Sequence, residues 1–133
     1  MNESNDSPTM RLHLWIETAE GLCFGLGRAM LLAKIDEHGS LKRAAEDLNM
    51  SYRAAWGKIK KSEEILKVKL VAQKGGKNEG YQLTDSGRAL MESYFVWFQE
   101  VEREALKRAK ELFPWNVKCH DRSPVEDRVL PAK

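Results

Sequence analysis

The segment from Ser40 to Lys61 places the tightest constraint on what this chain can fold into. Read with a helical period, its first half brings four apolar residues onto one face: Leu41, Ala44, Ala45 and Leu48. Asn49 follows, and Asn tolerates the left-handed conformation that closes a helix. Ser51 is a favoured N-cap residue, so a second helix is expected to begin there. The pattern predicts two short helices joined by a tight turn.

The second helix is expected to have an apolar face and a basic face. Ala55 and Ile59 recur at i and i+4, which predicts that they pack inward. The other side carries Tyr52, Arg53 and Lys60. Two short helices with a tight turn and a basic outer surface are the requirements of a helix-turn-helix, whose second helix enters the major groove of DNA.

Positive charge is concentrated on this part of the chain. The 133 residues carry a formal charge of only +2 at pH 7. Residues 40–77 contain 10 Lys and Arg against 4 Asp and Glu, a net of +6, so the remaining residues carry 12 against 16. A basic segment in an otherwise acidic chain indicates a surface that meets phosphates.

Length and composition predict one domain with unstructured ends. Residues 1–10 are polar and aperiodic, so we expect disorder there, and residues 114–133 mix charges with prolines and are expected to form a loose tail. The two cysteines, Cys23 and Cys119, are too few for a disulfide framework, and the N-terminus does not resemble a signal peptide. We expect a reduced, cytoplasmic protein, since no apolar run approaches the roughly 20 residues that cross a bilayer.

Short strands are expected on both sides of the helical segment. Residues 11–17 alternate well enough for a strand, and a turn at residues 19–21 leads to a return strand at 22–24. A helix over residues 28–37, ended by Gly39, completes a three-helix core. Strands at 68–73 and 81–83 then enclose a glycine-rich basic tip. Such a hairpin beside a helix-turn-helix is a wing, which contacts phosphates or the minor groove.

A long helix is expected to follow the wing. Thr84 is a candidate N-cap, and helical periodicity persists to Phe113, where Pro114 stops it. Its apolar stripe is a candidate dimer interface, which consists of Leu90, Tyr94, Trp97, Val101, Ala105 and Leu112. The predicted fold is therefore mainly α with small β: a winged helix-turn-helix over residues 11–113, with an N-terminal β-hairpin and a C-terminal dimerisation helix over about residues 85–113.

These motifs resemble a known family. Gly39-Ser40-Leu41-x-x-Ala44-Ala45-x-x-Leu48-x-Met50-Ser51 looks like the helix-turn-helix of LysR-type regulators. Three further segments are similar to the N-terminal DNA-binding domain of molybdate-responsive ModE regulators: Ser51-Tyr52-Arg53-x-Ala55-Trp56, Leu26-Gly27-Arg28-x-x-Leu31-Leu32 and Leu83-Thr84-x-x-Gly87. The resemblance implies a dimeric winged-helix transcription regulator. The chain ends where molybdate-binding domains would begin, so oxyanion sensing cannot be carried over by residue, and its wing tip has fewer glycines than is usual in the family.

The candidate DNA contacts fall into two groups. The groove-facing set on the second helix is Ser51, Tyr52, Arg53, Trp56, Gly57 and Lys60. Arg53 is the candidate for a base edge, because its guanidinium can bind guanine O6 and N7. The candidate phosphate contacts are Lys42, Arg43, Lys58, Lys60, Lys61, Lys74 and Lys77.

Three of these positions keep a second interpretation. Tyr52 is either a DNA contact or a partly buried tyrosine. The ring of Trp56 either packs against the first helix or lies over the sugar-phosphate wall. Gly57 costs about 1 kcal/mol relative to Ala inside a helix, which indicates close approach either of DNA or of another helix.

The sequence contains no recognisable catalytic constellation. Gly25-x-Gly27 lacks the third glycine of a dinucleotide loop, no phosphate-cradling loop is present, and the three histidines are scattered. We expect no enzyme activity, no cofactor and no metal site. The expected partners are double-stranded DNA and a second copy of the chain, and no binding to a membrane is expected. Whether an oxyanion or a separate sensor protein also binds is left open. The alternative functions are a winged-helix protein-interaction module and a dimeric oxyanion-responsive regulator.

Overall fold

The computed structural model describes residues 7–76 and 80–120. They form two compact units, one of residues 14–94 and one of residues 7–13 together with 95–120. The first contains the predicted helix-turn-helix and wing. None of the helices within the described ranges is both long enough and apolar enough to cross a membrane.

The first unit begins with a β-hairpin, as predicted, but its first strand is shorter than expected. Strand β2 spans Trp15–Thr18 and pairs antiparallel with β3, Gly21–Gly25. The register shifts between Ile16 and Glu17. Strand β3 ends at Gly25, opposite Trp15, because α1 begins at Leu26, so residues 11–14 extend past the end of β3 and do not join the ladder.

Three helices then build the core of this unit. Helix α1 spans Leu26–His38, α2 spans Leu41–Asp47 and α3 spans Tyr52–Leu66. Helix α1 starts two residues before the predicted helix and ends one residue after it, since the extended Gly25 is its N-cap and the left-handed Gly39 its C-cap. The fully buried side chains include Leu31, Leu32, Ile35, Leu41 and Ile59. The predicted inward faces of α2 and α3 are therefore confirmed.

The wing follows α3 as an antiparallel pair of three-residue strands. Strand β4 is Val71–Gln73 and strand β5 is Tyr81–Leu83, with Val71 opposite Leu83. The first strand was predicted to begin at residue 68, but the Leu70 N–H donates to the Glu63 carboxylate instead of to a strand. The strand therefore begins at Val71, three residues later than predicted. Part of the predicted tip, residues 77–79, lies outside the described residues.

Helix α4, Asp85–Leu112, begins in the first unit and continues into the second. The Thr84 hydroxyl accepts from the Gly87 N–H at 2.9 Å, which confirms the predicted cap. At 1.5 Å per residue the helix is about 42 Å long.

The second unit differs from the expectation of disordered ends. Strand β1, Thr9–Met10, pairs in parallel with β6, Lys118–Cys119. The His120 N–H donates to Met10 O at 2.9 Å, and the Lys118 N–H donates to Pro8 O at 3.0 Å. The partners are more than a hundred residues apart, so neither segment carries a local pattern that predicts this pairing. The other residues of the expected disordered start and loose tail, 1–6 and 121–133, lie outside the described residues.

Candidate nucleic-acid interface

The turn between α2 and α3 is built as the sequence predicts. Asn49 has a φ of 58°, in the left-handed region, and the Met50 N–H donates to Ala45 O at 3.0 Å. The Ser51 hydroxyl accepts from the Ala54 N–H at 3.0 Å, which satisfies one donor of the first turn of α3. These bonds fix where α3 begins and therefore where its outer face points.

Helix α3 has a buried face and an outward ridge on opposite sides. Ala55, Ile59 and Ser62 are buried, and the Ser62 hydroxyl donates to Cys23 O at 2.6 Å, which ties the helix to strand β3. The opposite side exposes a stripe at helical spacing, here called the outward ridge, which consists of Arg53, Gly57 and Lys61. This ridge is the side of α3 that faces away from the core of the unit.

The two aromatic residues of α3 lie between these faces and contact the wing. The rings of Trp56 and Tyr81 are 5.6 Å apart with an interplanar angle of 52°. Burial raises the pKa of Tyr52, and a hydrogen bond with the Tyr81 side chain raises it further. We call Tyr52, Trp56 and Tyr81 the aromatic clasp. The sequence left two interpretations open for both α3 residues. The structure places the half-buried Trp56 ring against Tyr81 of strand β5 rather than against the first helix, and Tyr52 is partly covered but still 47% exposed.

Lys60 extends the same side of α3. Its ammonium lies 5.2 Å from the centre of the Trp56 ring and 3.9 Å from a carboxylate oxygen of Glu63. A cation over an indole face is attracted by the ring quadrupole. The exposed Lys60 side chain is therefore held beside the wing rather than on the outward ridge.

Glu63 anchors the base of the wing. Its side chain is buried, and one carboxylate oxygen accepts from the Leu70 N–H at 2.8 Å and from the Val71 N–H at 3.4 Å. The other oxygen lies 3.7 Å from Lys69 Nζ. An ionised carboxylate is the strongest acceptor that a side chain offers to backbone amides, so Glu63 holds the start of β4 against α3.

Gly57 faces open space. A Cβ built on it would meet no atom of the described residues within 4 Å beyond its own helix backbone and chain neighbours. Of the two interpretations left open by the sequence, close approach of another helix of this unit is therefore excluded. The gap on the outward ridge is available to a DNA backbone or base edge.

The candidate phosphate contacts divide by where their side chains lie. Lys42, Arg43 and Lys61 are exposed, whereas Lys58 is half-buried. Lys74 is folded back onto the end of α1, since a Cβ placed on Gly39 would lie 2.8 Å from its ammonium nitrogen. In this position Lys74 faces the carbonyl end of α1 rather than a phosphate. Lys77 lies outside the described residues.

Charged pairs brace the helices behind the interface. His38 Nε2 lies 2.7 Å from Asp47 Oδ2, and this hydrogen bond lowers the pKa of Asp47. Lys34 Nζ lies 3.6 Å from the same oxygen. The Arg88 guanidinium donates two hydrogen bonds to the Asp36 carboxylate, at 2.7 Å to Oδ1 and 3.2 Å to Oδ2, which raise the pKa of Arg88. The two pairs join α1 to α2 and α1 to α4.

The predicted dimerisation stripe is not uniform. Tyr94 is buried in the first unit, where its hydroxyl donates to Leu14 O at 2.9 Å and its ring meets Phe24 edge-on at 6.0 Å. Burial raises the pKa of Tyr94 to about 12. Tyr94 therefore belongs to the core of that unit rather than to an outer surface. Along the rest of the stripe, four residues are half-buried and the last is exposed: Leu90, Trp97, Val101, Ala105 and Leu112.

The sequence interpretation missed Tyr81 and Glu63. Tyr81 was assigned only to a strand, and Glu63 was given no role. The spacing of Tyr52, Trp56 and Glu63 at i, i+4 and i+11 is a signal that could have identified one side of the helix facing a neighbour.

Comparison with known proteins agrees with this geometry. The model of bacterial regulatory helix-turn-helix proteins of the lysR family matches residues 26–88. The molybdenum transport protein ModE of Azotobacter vinelandii is 35% identical over 81 residues, which cover 59% of this chain and 30% of that protein. The molybdenum-pterin-binding protein MopB of Rhodobacter capsulatus is 37% identical over 76 residues, which cover 56% of this chain and 28% of that protein. This chain thus matches less than a third of the length of either relative.

A solved structure supports the fold. The DNA-binding domain of CbnR in complex with DNA superposes with a TM-score of 0.52 at 21% sequence identity, over 64% of this chain and 93% of that one. This likeness confirms the winged-helix architecture. Residues 26–88, with the capped turn, the outward ridge and the wing, therefore form a lysR-type regulatory helix-turn-helix domain.

Proposed function

We propose that this protein is a sequence-specific transcription regulator that binds double-stranded DNA through α3. The observation that carries the proposal is the outward ridge: α3 exposes Arg53, Gly57 and Lys61 directly opposite its buried face. A helix with exposed basic residues and one open glycine position can lie deep in the major groove.

Within this proposal Arg53 reads a base and the lysines position the domain. Arg53 is exposed on the first turn of α3, the part of the second helix that meets base edges in helix-turn-helix domains. Lys42, Arg43 and Lys61 are exposed on α2 and α3 and contact phosphates. With its ring packed on the wing, Trp56 supports the interface rather than reading sequence.

The test is binding to a duplex site selected from a random DNA pool, compared with an unrelated duplex. Arg53→Ala is expected to weaken binding to the selected site by roughly 1–3 kcal/mol, with a smaller loss on unrelated DNA. Arg103→Ala is the matched control, because it removes the same exposed charge from α4 outside residues 26–88. Equal losses on both duplexes would contradict base reading, and a protein that selects no site would favour the protein-interaction alternative.

The proposed assembly is a homodimer through α4. Leu112 is 64% exposed, and the half-buried Trp97, Val101 and Ala105 precede it at helical spacing. A second copy of the helix would remove this apolar surface from water. Two domains would then meet half-sites whose centres lie about 34 Å apart, or a multiple of that distance. Sedimentation that finds only monomers at micromolar concentration would contradict the dimer.

An oxyanion-responsive regulator is the second candidate, and the similarity to ModE and MopB favours it. Those relatives are named for molybdenum, but this chain matches less than a third of each of them. A rise in unfolding temperature with excess molybdate or tungstate would support direct sensing. An unchanged unfolding temperature would indicate that the regulator is controlled by its own abundance or by a separate sensor protein.

A further inference from the structure

Tyr81, the first residue of β5, joins three elements of the first unit. Its backbone N–H donates to Gly39 O at the end of α1, at 3.1 Å. Its ring packs on Trp56, with 5.6 Å between the ring centres, and its side chain lies beside that of Tyr52. The backbone thus ties the wing to the frame of the domain, whereas the side chain ties it to α3.

We propose that Tyr81 is a positioning residue for DNA recognition: through the aromatic clasp it sets the orientation of the wing relative to α3. The inference rests on the proposed function. In this view the wing and the outward ridge approach DNA as one preformed surface.

The wing needs such a contact because it is too short to hold its own orientation. Each strand has three residues, and an isolated two-stranded hairpin is marginally stable at best. Glu63 fixes the start of β4, as its carboxylate accepts from Leu70 and Val71. The bond from the Tyr81 N–H to Gly39 O fixes the start of β5 to α1, but it does not join β5 to α3. The packing of Tyr81 on Trp56 supplies that contact.

The positions on α3 suit this role. Tyr52 and Trp56 are one helical turn apart and lie beside the outward ridge rather than on it. Their contacts with Tyr81 therefore leave Arg53 and Gly57 open to DNA. Binding surfaces that are ordered beforehand lose less side-chain and loop entropy when the complex forms. A wing that is already oriented would bind DNA with that smaller loss.

The experiment is hydroxyl-radical footprinting of the full chain on its selected site, which resolves protection by position along the DNA. The half-site under α3 and the flanking backbone under the wing are read separately. In Tyr81→Ala we expect about tenfold weaker protection of the flank, with the half-site pattern retained. Tyr81→Phe keeps the ring on Trp56 and should restore most of the flanking protection.

Gln82→Ala is the matched control, because Gln82 is the exposed neighbour of Tyr81 on β5, on the opposite face of the strand. It should leave both regions of protection unchanged. Tyr81→Ala keeps the backbone bond to Gly39, so the domain should fold, which circular dichroism verifies. Should it not fold, Tyr81→Leu, which retains apolar volume without the ring, is judged by the same footprint.

Two results would overturn the inference while the proposed function stands. One is flanking protection in the alanine variant equal to that of the wild type. The other is a uniform loss over half-site and flank in a folded variant, which indicates general weakening rather than a misplaced wing. A wild-type protein with no selective footprint would reject the proposed function, and the inference with it.

Discussion

At the scale of single residues, Gly57 and Asp47 show how the domain combines stability with an open surface. Gly57 lies inside α3, where glycine is a poor helix former, and a Cβ there would meet open space. Asp47 ends α2 and accepts a hydrogen bond from His38 on α1. The first residue weakens its helix at the proposed contact surface, whereas the second joins two helices behind that surface.

Gly57→Ala is expected to stabilise the domain and to weaken its binding to DNA. Alanine should raise the free energy of unfolding by about 0.5–1 kcal/mol, since the helix gains a better former and no atom is displaced. The added methyl group would stand on the outward ridge where DNA approaches. Chemical denaturation and a binding titration measure the two effects. Gly27→Ala, at another exposed helical glycine with open space, is the control and should not weaken DNA binding. A Gly57→Ala protein of unchanged affinity would exclude close contact at this position.

The lowered pKa of Asp47 predicts that the domain becomes less stable in acid. Because the His38 hydrogen bond lowers the pKa of Asp47, the folded state binds this proton less readily than the unfolded state does. The resulting stabilisation is present above the ordinary pKa of Asp, about 3.9, and is lost as the pH falls through the lowered value. In Asp47→Asn, the difference in unfolding midpoint from wild type should be largest near neutral pH and shrink below about pH 4. Glu46→Gln, at the exposed neighbouring carboxylate, is the control. A difference independent of pH would contradict this assignment.

At the scale of elements, the wing is held to the helices by hydrogen bonds outside its own ladder. The Glu63 carboxylate binds two amides at the start of β4, and the Thr84 hydroxyl donates to Lys69 O at 2.6 Å. At Gly87, in the first turn of α4, a Cβ would lie 2.1 Å from Leu70 O. Glycine at this position therefore lets the start of α4 approach the backbone that enters the wing.

Glu63 variants test this anchoring. Glu63→Ala leaves two amides without their acceptor, and the free energy of unfolding should fall by about 1–3 kcal/mol. Glu63→Gln retains a carbonyl oxygen as acceptor and should lose less. Urea denaturation measures both. Glu64→Ala, at the exposed adjacent residue, provides the matched control. Equal losses in the alanine and glutamine variants would indicate that charge, rather than the hydrogen bonds, is what matters at this site.

At the scale of the whole molecule, charge is distributed in favour of DNA binding despite a net charge of only +2. Residues 40–77 carry a net charge of +6 and include the proposed interface. Two of these lysines are held against neighbouring groups of the protein, because Lys74 lies over the end of α1 and Lys60 over the Trp56 ring. The exposed lysines and arginines of α2 and α3 therefore carry the proposed phosphate contacts.

Salt dependence of DNA binding measures those contacts. If Lys42, Arg43 and Lys61 of each protomer neutralise about six phosphates in a dimer, the logarithm of the binding constant should fall with the logarithm of salt concentration with a slope near −5. Lys61→Ala removes one contact from each protomer and should make that slope less steep by about 2, while Lys107→Ala, an exposed lysine on α4, should leave it unchanged. A slope near zero for the wild type would contradict an electrostatic interface.

The sequence by itself determined the elements whose causes are local. The caps at Ser51 and Thr84, the left-handed Asn49 and the inward face of α3 follow from hydrogen bonds and periodicities that span three or four residues. Only the tertiary structure decided what lies against those elements. Trp56 meets Tyr81, Glu63 receives the amides of Leu70 and Val71, and residues 9–10 pair with residues 118–119. Helical spacing fixes the direction of a side chain, but its partner depends on how distant segments pack, which no local pattern specifies.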